Sequence, residues 1–458
     1  MENVKQERNL HCLLLAFPLQ GHVNPMLQFS KRLKHKGIAR ITLAVTKFFL
    51  KTANHFPSVS FPVETISDGF DDGGAGEVKP VEYYEICWKI GSETLAQLIE
   101  RLRSSGSGVD CLIYDPFYPW ALDVAKKLGL KAAMFFTQSN SVNLIYFHAY
   151  KRELVLPVTE AEIRIRGGLS ALTREDLPSF IREYESDPEI AEMMIRQFRN
   201  VEMVDWIFVN TFYELEKEVC EWMAKIFPLK TIGPTIPSSY VDRRVPDDNE
   251  YGLSIFTPIT DPCTNWLNKH RTKSVIYVSF GSFAQPGAEQ MEELAIALKI
   301  TKMPFLWVVR ASEEAKLPEN YTDEVSEQGL IVTWCRQLDV LAHETIGCFV
   351  THCGWNSTLE AISSGVPIVA MPQWSDQSTN AKLVADVWKI GIRVRKAEEG
   401  IVRRGEIIRC IKHVMECGIG EEMRRSTENW KKLTREAVDE GGSSDINIEE
   451  FVSSLMRL

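Results

Sequence analysis

Several absences narrow what this chain can be. None of its apolar runs approaches the ~20 residues that a membrane-spanning helix needs, so we expect no integral membrane segment. No basic segment with a cleavage site precedes the first apolar run, which argues against export. Acidic residues outnumber basic ones, and the formal net charge is −10. An acidic surface repels nucleic acids and anionic membranes, so neither is an expected partner.

Paired cysteines are absent as well. The ten cysteines form no CxxC pair and no regular framework, so they predict reduced thiols in a cytoplasmic protein. His352-Cys353 is not interpreted as half of a zinc site. With 458 residues, of which 45% are hydrophobic and 25% charged, the chain is too long for one ordinary domain. We therefore expect two domains.

Strand-length apolar runs alternate with helical segments in both halves of the chain. This pattern predicts doubly wound parallel sheets of the α/β class. A first helix is expected to start at Asn24-Pro25, because Asn caps well and Pro suits the first helical position, and to stop at Gly37. The predicted strands include residues 11–17, 109–114, 131–136, 274–280, 347–351 and 366–371.

Domain boundaries follow from composition. The proline-rich and charged stretch of residues 241–258 predicts an interdomain linker between a first domain, residues 1–240, and a second domain, residues 259–440. The remaining residues, 441–458, are expected to form a last helix, for which Ser444 or Asp445 would be the N-cap.

One continuous segment, residues 334–377, holds the clearest functional signal. It begins with an aromatic platform, Trp334, and contains a strand that leads into Gly354-Trp355-Asn356-Ser357. We expect a short helix over residues 358–364, stopped by Gly365. Backbone N–H groups at a helix start are unpaired and carry partial positive charge, so this helix start suits a diphosphate.

This segment resembles the signature box of the plant secondary-product UDP-glycosyltransferases, enzymes of glycosyltransferase family 1 with the GT-B fold. The resemblance extends from the amino-terminal PLQGHVNP to the carboxyl-terminal EGGSSDINIEEFV. It implies two Rossmann-like domains facing across a cleft, with the acceptor in residues 1–240 and the UDP-sugar in residues 259–440. It also implies that residues 441–458 return to the first domain, that UDP-glucose is the donor substrate, and that no separate cofactor is needed.

Two residues are the expected catalytic pair. Transfer to an alcohol needs a base, and His22 follows the first strand, where a doubly wound fold presents side chains to a crevice. Asp115 ends the strand over residues 109–114 and would hold one imidazole nitrogen, as the aspartate does in hydrolase triads. Without context, a loop histidine is more often a surface or capping residue, and Asp115 is an ordinary Asp-Pro turn former. The QGHVNP context resembles the family's catalytic motif and favours the catalytic role.

The nucleoside is expected to bind at the head of the box. Trp334 would stack on uracil, Gln337 would bind the ribose or the base edge, and Glu360 would accept hydrogen bonds from the ribose hydroxyls. The alternatives are a core tryptophan and, for Glu360, an acid that stabilises a helix start.

The diphosphate needs its own donors, because the chain contains no Asp-x-Asp element with which metal-dependent sugar transferases hold a divalent ion. His352, Asn356 and Ser357 are expected to donate to it beside the helix start. Ser282 follows the first strand of the second half and would add another donor, or would be a simple turn residue. We therefore expect a site that binds no metal.

Asp376 and Gln377 end the box and would offer a carboxylate and an amide to the sugar hydroxyls, with Trp355 packed nearby. A solvated turn is the alternative. In the family, Gln at the end of the box accompanies the use of UDP-glucose, whereas His there suggests UDP-galactose. Glucose is thus the expected sugar, since a mismatched hydroxyl would leave a buried polar group without a partner.

The acceptor is expected in the first domain, where aromatic residues gather near predicted strand ends. Most of them are expected in the core, and those at the crevice would bind a lipophilic terpenoid, steroid or phenolic. They are Phe17, Tyr83, Tyr84, Trp88, Phe117, Tyr118, Trp120, Phe136, Tyr146 and Phe147.

The sequence thus predicts an inverting UDP-glucosyltransferase that works as a monomer. The alternative is a non-catalytic protein that binds UDP-sugars or metabolites, and the presence of both His22 and Asp115 argues against it. A glycoside hydrolase is a weaker alternative, because it would need two carboxylates facing one bond and would not need the UDP box.

Overall fold

The computed structural model describes residues 9–53, 60–416 and 418–457. This part of the chain divides into two compact α/β units. The first unit comprises the chain up to Ala171, residues 180–255 and the segment from Glu436 onward, and the second comprises residues 172–179 and 256–435. No helix in the described ranges is both long and apolar enough to cross a membrane.

The strands are short and largely buried. In chain order they are β1 His11–Leu15, β2 Arg40–Thr46, β3 Val63–Ile66, β4 Cys111–Tyr114, β5 Lys131–Phe136, β6 Trp206–Val209, β7 Leu229–Thr231, β8 Val275–Ser279, β9 Phe305–Val308, β10 Gly329–Val332, β11 Ile346–Thr351, β12 Ile368–Ala370 and β13 Gly391–Arg393.

Helices connect the strands. The α-helices are α1 Gln20–His35, α2 Lys47–Thr52, α3 Pro80–Ser104, α4 Trp120–Lys127, α5 Asn140–Tyr150, α6 Ser179–Arg182, α7 Pro188–Ile195, α8 Lys217–Ala224, α9 Asp261–Leu267, α10 Ala288–Thr301, α11 Tyr321–Glu324, α12 Gln337–Leu341, α13 Trp355–Ser364, α14 Gln377–Lys382, α15 Arg404–Glu416, α16 Gly418–Val438 and α17 Ser443–Met456.

Each unit contains a parallel sheet with the strand order of a doubly wound nucleotide-binding fold. The order is β3-β2-β1-β4-β5-β6-β7 in the first unit and β10-β9-β8-β11-β12-β13 in the second. The direction of winding reverses between β1 and β4, and again between β8 and β11. We call the carboxyl ends of these two strand pairs the first and the second switch point. This strand order confirms the predicted fold class. Ligands bind at such points in open α/β sheets, so a ligand site is expected at each of them.

Helix α1 begins five residues before Pro25, the first helical residue that the sequence predicted. It starts at Gln20, with Leu19 in extended conformation before it, and Pro25 lies inside the helix. Pro25 removes one main-chain donor, and the helix buries enough apolar surface to offset that loss. The buried apolar side chains are Val23, Met26, Leu27, Phe29 and Leu33.

The predicted stop of α1 is confirmed. Gly37 has a φ of 98°, in the left-handed region that favours glycine. Its N–H donates to the Lys34 carbonyl, and the N–H of Ile38 donates to the Leu33 carbonyl, which together form a Schellman motif.

Two acidic residues of the predicted linker form ion pairs with basic residues of α1. Arg32 forms an ion pair with Asp242 at 2.6 Å, and Lys31 forms one with Asp248 at 2.7 Å. Both carboxylates are buried, so these are well-defined contacts rather than solvated surface charges. Residues 241–255 are therefore an ordered part of the first unit.

Helix α17 completes the core of the first unit with Ile448, Phe451, Val452 and Leu455. Its first residue is Ser443, and Gly442 occupies the N-cap position, so the predicted caps Ser444 and Asp445 are wrong. The carboxylate of Asp445 is bound by Lys36 at 2.8 Å and by Arg244 at 2.9 Å, and its Oδ2 accepts from the main-chain N–H of Gly441 at 3.2 Å. The two cations are partners that the sequence did not predict.

Candidate active site

The first switch point brings together His22 and Asp115, which are 93 positions apart in sequence. His22 lies in the first turn of α1, just after β1, because the helix starts before the predicted Asn24-Pro25. Asp115 directly follows β4, and Leu15 of β1 lies beside Tyr114 of β4. The two side chains therefore meet, and the Nδ1–H of His22 donates to Oδ2 of Asp115 over 2.7 Å.

Asp115 is fully buried and is fixed at both ends. Its main-chain N–H donates to the Leu15 carbonyl at 3.0 Å, and its Oδ1 accepts from the N–H of Phe117 at 3.0 Å. The second bond is the turn-forming contact that is common for Asp. Asp115 thus shapes the turn after β4 and orients the imidazole at the same time.

Thr137 is a member of this group that sequence reasoning missed. Its hydroxyl lies 3.1 Å from Nδ1 of His22. Thr137 directly follows β5, whose bounds the sequence predicted correctly, so its position at a strand end was the available signal.

The other nitrogen of the imidazole is open. Within the described residues Nε2 of His22 has no hydrogen-bond partner, and the side chain is 17% exposed. With Nδ1 donating to Asp115, the lone pair of the neutral ring is on Nε2. This geometry can take up a proton from a group that approaches the exposed edge.

Aromatic rings flank the imidazole. The ring centroids of Phe17 and Phe117 lie 5.4 Å and 5.1 Å from that of His22. Tyr84 and Trp88 on α3 are also partly exposed and form an edge-to-face pair at 5.9 Å. The other aromatic residues of the predicted set are buried and belong to the core: Tyr83, Tyr118, Trp120, Phe136, Tyr146 and Phe147.

The second switch point places His352 between two glycines. A Cβ at Gly281, which follows β8, would lie 2.8 Å from Cε1 of His352. A Cβ at Gly354 would lie 2.5 Å from Nε2 of the same ring. Gly281 also has a φ of 71°. Glycine is therefore required at Gly281 both for its backbone conformation and for the close approach of the imidazole.

His352 is neutral at physiological pH. Burial, and to a lesser extent the positive charge of Arg310, lower the pKa of His352 to about 4. The guanidinium of Arg310, just after β9, donates to the carbonyls of Ser282 and Ala284. His352 can thus donate one hydrogen bond but contributes no positive charge. Sequence reasoning missed Arg310, although it stands at a strand end.

Helix α13 begins at Trp355, three residues before the predicted start, and has Gly354 at its N-cap position. Asn356 and Ser357 are consequently first-turn residues, whose main-chain N–H groups have no acceptor within the helix. Asn380 supports the turn before the helix, since its Nδ2 donates to the Cys353 carbonyl at 3.0 Å. The helix start therefore lies directly after Gly354 and is closer in sequence to His352 than predicted.

Gln337, Ser357 and Glu360 form one hydrogen-bonded group. The amide N–H groups of Gln337 donate to Oγ of Ser357 at 2.9 Å and to Oε2 of Glu360 at 2.5 Å. Its carbonyl oxygen accepts from the hydroxyl of Tyr277 at 3.1 Å. The sequence treated these residues as separate nucleotide ligands, whereas the structure shows that Gln337 orients the carboxylate of Glu360.

Gln377 and Asp376 stand at the start of α14. Gln377 is 4% exposed, and its Oε1 accepts from the N–H groups of Gln373 at 2.9 Å and Trp374 at 3.1 Å. The alternative of a solvated turn is therefore wrong for Gln377. Its amide nitrogen has no hydrogen-bond partner within the described residues. Asp376 accepts from Asn380 at 2.7 Å, so both side chains are held in place.

The remaining predicted residues differ in exposure. Trp334 is half-buried and stacks on Phe256, with a centroid distance of 4.2 Å. Trp355 is buried, and its ring centroid lies 6.1 Å from that of Trp388. The hydroxyl of Ser282 has no hydrogen-bond partner in the described part of the chain. No group of three or more potential metal-binding side chains occurs among the described residues.

Comparison with known proteins places this geometry in a family. The model of the UDP-glucoronosyl and UDP-glucosyl transferase family matches residues 252–416. UDP-glycosyltransferase 74E2 of Arabidopsis thaliana is 45% identical over 446 residues, which cover 97% of this chain and 98% of that relative. Flavonol 7-O-beta-glucosyltransferase UGT74F1 of the same plant is 44% identical over 451 residues, with 97% and 98% covered.

A solved structure extends the similarity to three dimensions. Os79 from O. sativa in complex with UDP matches with a TM-score of 0.92 at 42% identity, covering 97% of this chain and 100% of that one. Similarity over the whole length establishes a nucleotide-sugar transferase of the GT-B fold. The chain belongs to the plant UDP-glycosyltransferases of glycosyltransferase family 1, and the resemblance noted from the signature box is confirmed.

Proposed function

We propose that the chain transfers glucose from UDP-glucose to a hydroxyl or carboxyl group of a lipophilic small molecule, with inversion at the anomeric carbon and without a metal. The observation that carries the proposal is the 2.7 Å contact between His22 and Asp115, which leaves Nε2 of the imidazole open. Such a pair suits a base that removes a proton from an acceptor.

The reaction proceeds by a single displacement. Nε2 of His22 takes the proton of the acceptor hydroxyl, and the acceptor oxygen forms a bond to the anomeric carbon. The bond from that carbon to the β-phosphate oxygen breaks, and UDP leaves with the electron pair. Asp115 stabilises the imidazolium that results. Attack from the face opposite to UDP inverts the configuration, since no protein nucleophile intervenes.

Departure of UDP requires that negative charge be stabilised. The main-chain N–H groups at the start of α13, with the side chains of His352, Asn356 and Ser282, provide hydrogen-bond donors for the diphosphate. Because His352 is neutral, the positive field comes from the helix start rather than from the imidazole. These donors take the place of a divalent ion, in line with the absence of an Asp-x-Asp element.

The nucleoside and the sugar are bound by the remaining groups of the second unit. Trp334 stacks on uracil, and Glu360, oriented by Gln337, accepts hydrogen bonds from the ribose hydroxyls. The free amide nitrogen of Gln377 donates to a glucose hydroxyl, and Asp376 accepts from another. The UDP-bound structure of Os79 supports a nucleotide site in this family.

The acceptor lies against partly exposed aromatic rings of the first unit. Phe17, Phe117, Tyr84 and Trp88 offer partly exposed apolar faces. Flat or polycyclic molecules such as terpenoids, steroids and phenolics suit such faces. All the proposed groups come from one chain, so we expect a monomer. The free buried thiols of the described residues fit a reducing compartment, and we propose the cytoplasm.

One experiment tests the reaction. Purified protein is incubated with UDP-glucose and a mixed panel of plant aglycones, and products are detected by mass spectrometry as acceptors that have gained one hexose. We expect UDP release in equal amount, and a β-glycoside by the proton coupling of the anomeric centre. An α-glycoside contradicts single displacement. UDP binding with no product from any acceptor favours the non-catalytic alternative, and release of sugar from glycosides without UDP favours a hydrolase.

A further inference from the structure

The segment that opens the second unit is bound to Trp334 by side chain and main chain. The ring of Phe256 stacks on the Trp334 indole at a centroid distance of 4.2 Å and an interplanar angle of 28°. Three residues further on, the N–H of Ile259 donates to the Trp334 carbonyl at 2.9 Å. The thiol of Cys263 in α9 then donates to the Ile259 carbonyl at 3.1 Å. The ring contact is thus accompanied by hydrogen bonds to the main chain of the same segment.

An indole has two faces, and Phe256 occupies one of them. Within the described ranges no second aromatic ring stacks on Trp334, and the side chain remains half-buried. A planar ligand that stacks on Trp334 must therefore use the second face. A stacked pair of aromatic rings stabilises its arrangement beyond simple burial, so Phe256 restricts the rotation of the Trp334 indole.

We propose that Phe256 is a positioning residue for the nucleotide: it fixes the plane of the Trp334 indole, and the base stacks on the opposite face. This inference rests on the proposed role of Trp334 as the uracil platform. Phe256 acts through Trp334 and touches neither the diphosphate nor the reacting carbon. Its contribution is that the platform is already ordered before the nucleotide binds, which lowers the entropic cost of binding.

Substitution of Phe256 should therefore weaken binding without slowing chemistry. We expect Phe256→Ala to raise the Kd for UDP by about three- to tenfold, as measured by calorimetry, and to leave kcat at saturating UDP-glucose unchanged. Phe256→Tyr, which keeps the ring, should restore the Kd. Trp266→Ala is the matched control, since Trp266 lies in the same segment but packs on His270 at a centroid distance of 4.1 Å. This control should leave the Kd unchanged.

A double-mutant cycle shows whether Phe256 acts through the indole. In a Trp334→Ala background, Phe256→Ala should have no further effect on the Kd for UDP. A second probe is 5,6-dihydrouridine diphosphate, whose base is not planar: the preference for UDP over this probe should shrink in Phe256→Ala. A general loss of structure would weaken both ligands equally and leave that preference intact.

The outcomes separate this inference from the proposed function. A Phe256→Ala variant with an unchanged Kd, beside a Trp334→Ala variant that binds UDP weakly, overturns the role of Phe256 alone. Tighter binding of UDP by Phe256→Ala also overturns it, because the ring would then occupy the face that the base uses. An unchanged Kd in Trp334→Ala overturns the uracil platform and, with it, this inference.

Discussion

The two switch points share one topology but surround their histidines with opposite charges. At the first, His22 has a buried carboxylate 2.7 Å from Nδ1 and an open Nε2. At the second, His352 lies between Gly281 and Gly354, and the guanidinium of Arg310 opposes a second proton on its ring. A carboxylate stabilises an imidazolium, whereas burial beside a cation excludes it. The same strand order therefore carries an imidazole paired with a carboxylate in one unit and an imidazole held neutral in the other.

The largest effect is expected at the first switch point, where His22 is the proposed base. His22→Ala should lower kcat by about 10³-fold, since general base catalysis typically contributes factors of this size. The Kd for UDP should not change, because the proposed nucleotide ligands all belong to the second unit. Turnover is measured by mass spectrometry and UDP binding by calorimetry. Undiminished turnover in this variant contradicts the proposed base.

The next effect concerns the charge state of His352. Its pKa is about 4 in the folded chain and near 6.5 in the unfolded chain, so the unfolded state alone takes up the proton between these values. The folded state is therefore destabilised as the pH falls from 6.5 to 4, in total by about 3 kcal/mol, and is unaffected by this group above pH 6.5.

His352→Asn should remove that part of the pH dependence. We expect the free energy of unfolding of the variant, measured by urea titration, to fall less steeply than that of the wild type across the same pH range. The buried His11, whose pKa is also lowered, remains in both proteins and cancels in the difference. Parallel curves for variant and wild type would show that His352 is not held neutral.

A smaller effect tests the glycine contact. Gly281→Ala places a methyl group 2.8 Å from His352 at a residue with a φ of 71°, so it should shift the imidazole and weaken UDP binding by about tenfold. Gly287→Ala is the control, because a Cβ there meets no atom within 4 Å. Calorimetry with UDP measures both variants. Equal affinities would mean that the position of His352 does not affect the diphosphate.

Loss of the proposed contact between Gln377 and the sugar should change the binding affinity by as much as Gly281→Ala does, or by less. Glu at position 377 keeps an oxygen that can accept from the N–H groups of Gln373 and Trp374 but removes the amide donor. Gln377→Glu should lower the affinity for UDP-glucose relative to that for UDP by about tenfold, the effect of one lost hydrogen bond in a buried site. A constant ratio of the two Kd values argues against a sugar contact by Gln377.

No effect is expected from metal removal. Because main-chain and side-chain donors are proposed to stabilise the diphosphate, incubation with EDTA should leave the initial rate of UDP release unchanged. A control with added Mg²⁺ should give the same rate. Strong loss of activity with EDTA, restored by a divalent ion, would require a different site.

Local pattern and long-range placement were not equally predictable from the sequence. The bounds of β5 were predicted correctly, because a short apolar run stands between clear breakers. The predicted start of α1 was wrong, because buried contacts on both sides of Pro25 outweighed the local signal for a helix start at Asn24-Pro25. Local propensities do not include those contacts.

Hydrogen bonds between distant residues could not be predicted from spacing. The contact of His22 with Asp115 depends on β1 lying beside β4, which only the strand order reveals. The group formed by Gln337, Ser357 and Glu360 depends on the relative placement of α12 and α13. Residue types at strand ends indicated candidates, whereas the pairing among them required the three-dimensional arrangement.

The position of α17 has a consequence for biosynthesis. Phe451 packs edge-to-face on Phe208 at a centroid distance of 4.9 Å, so the hydrophobic interior of the first unit includes a ring that is translated more than two hundred residues later. Until that ring leaves the ribosome, the nascent first unit exposes the apolar surface that α17 will cover. Chaperone protection during synthesis should therefore matter more for this unit than for the second, whose interior is complete before α17 is made.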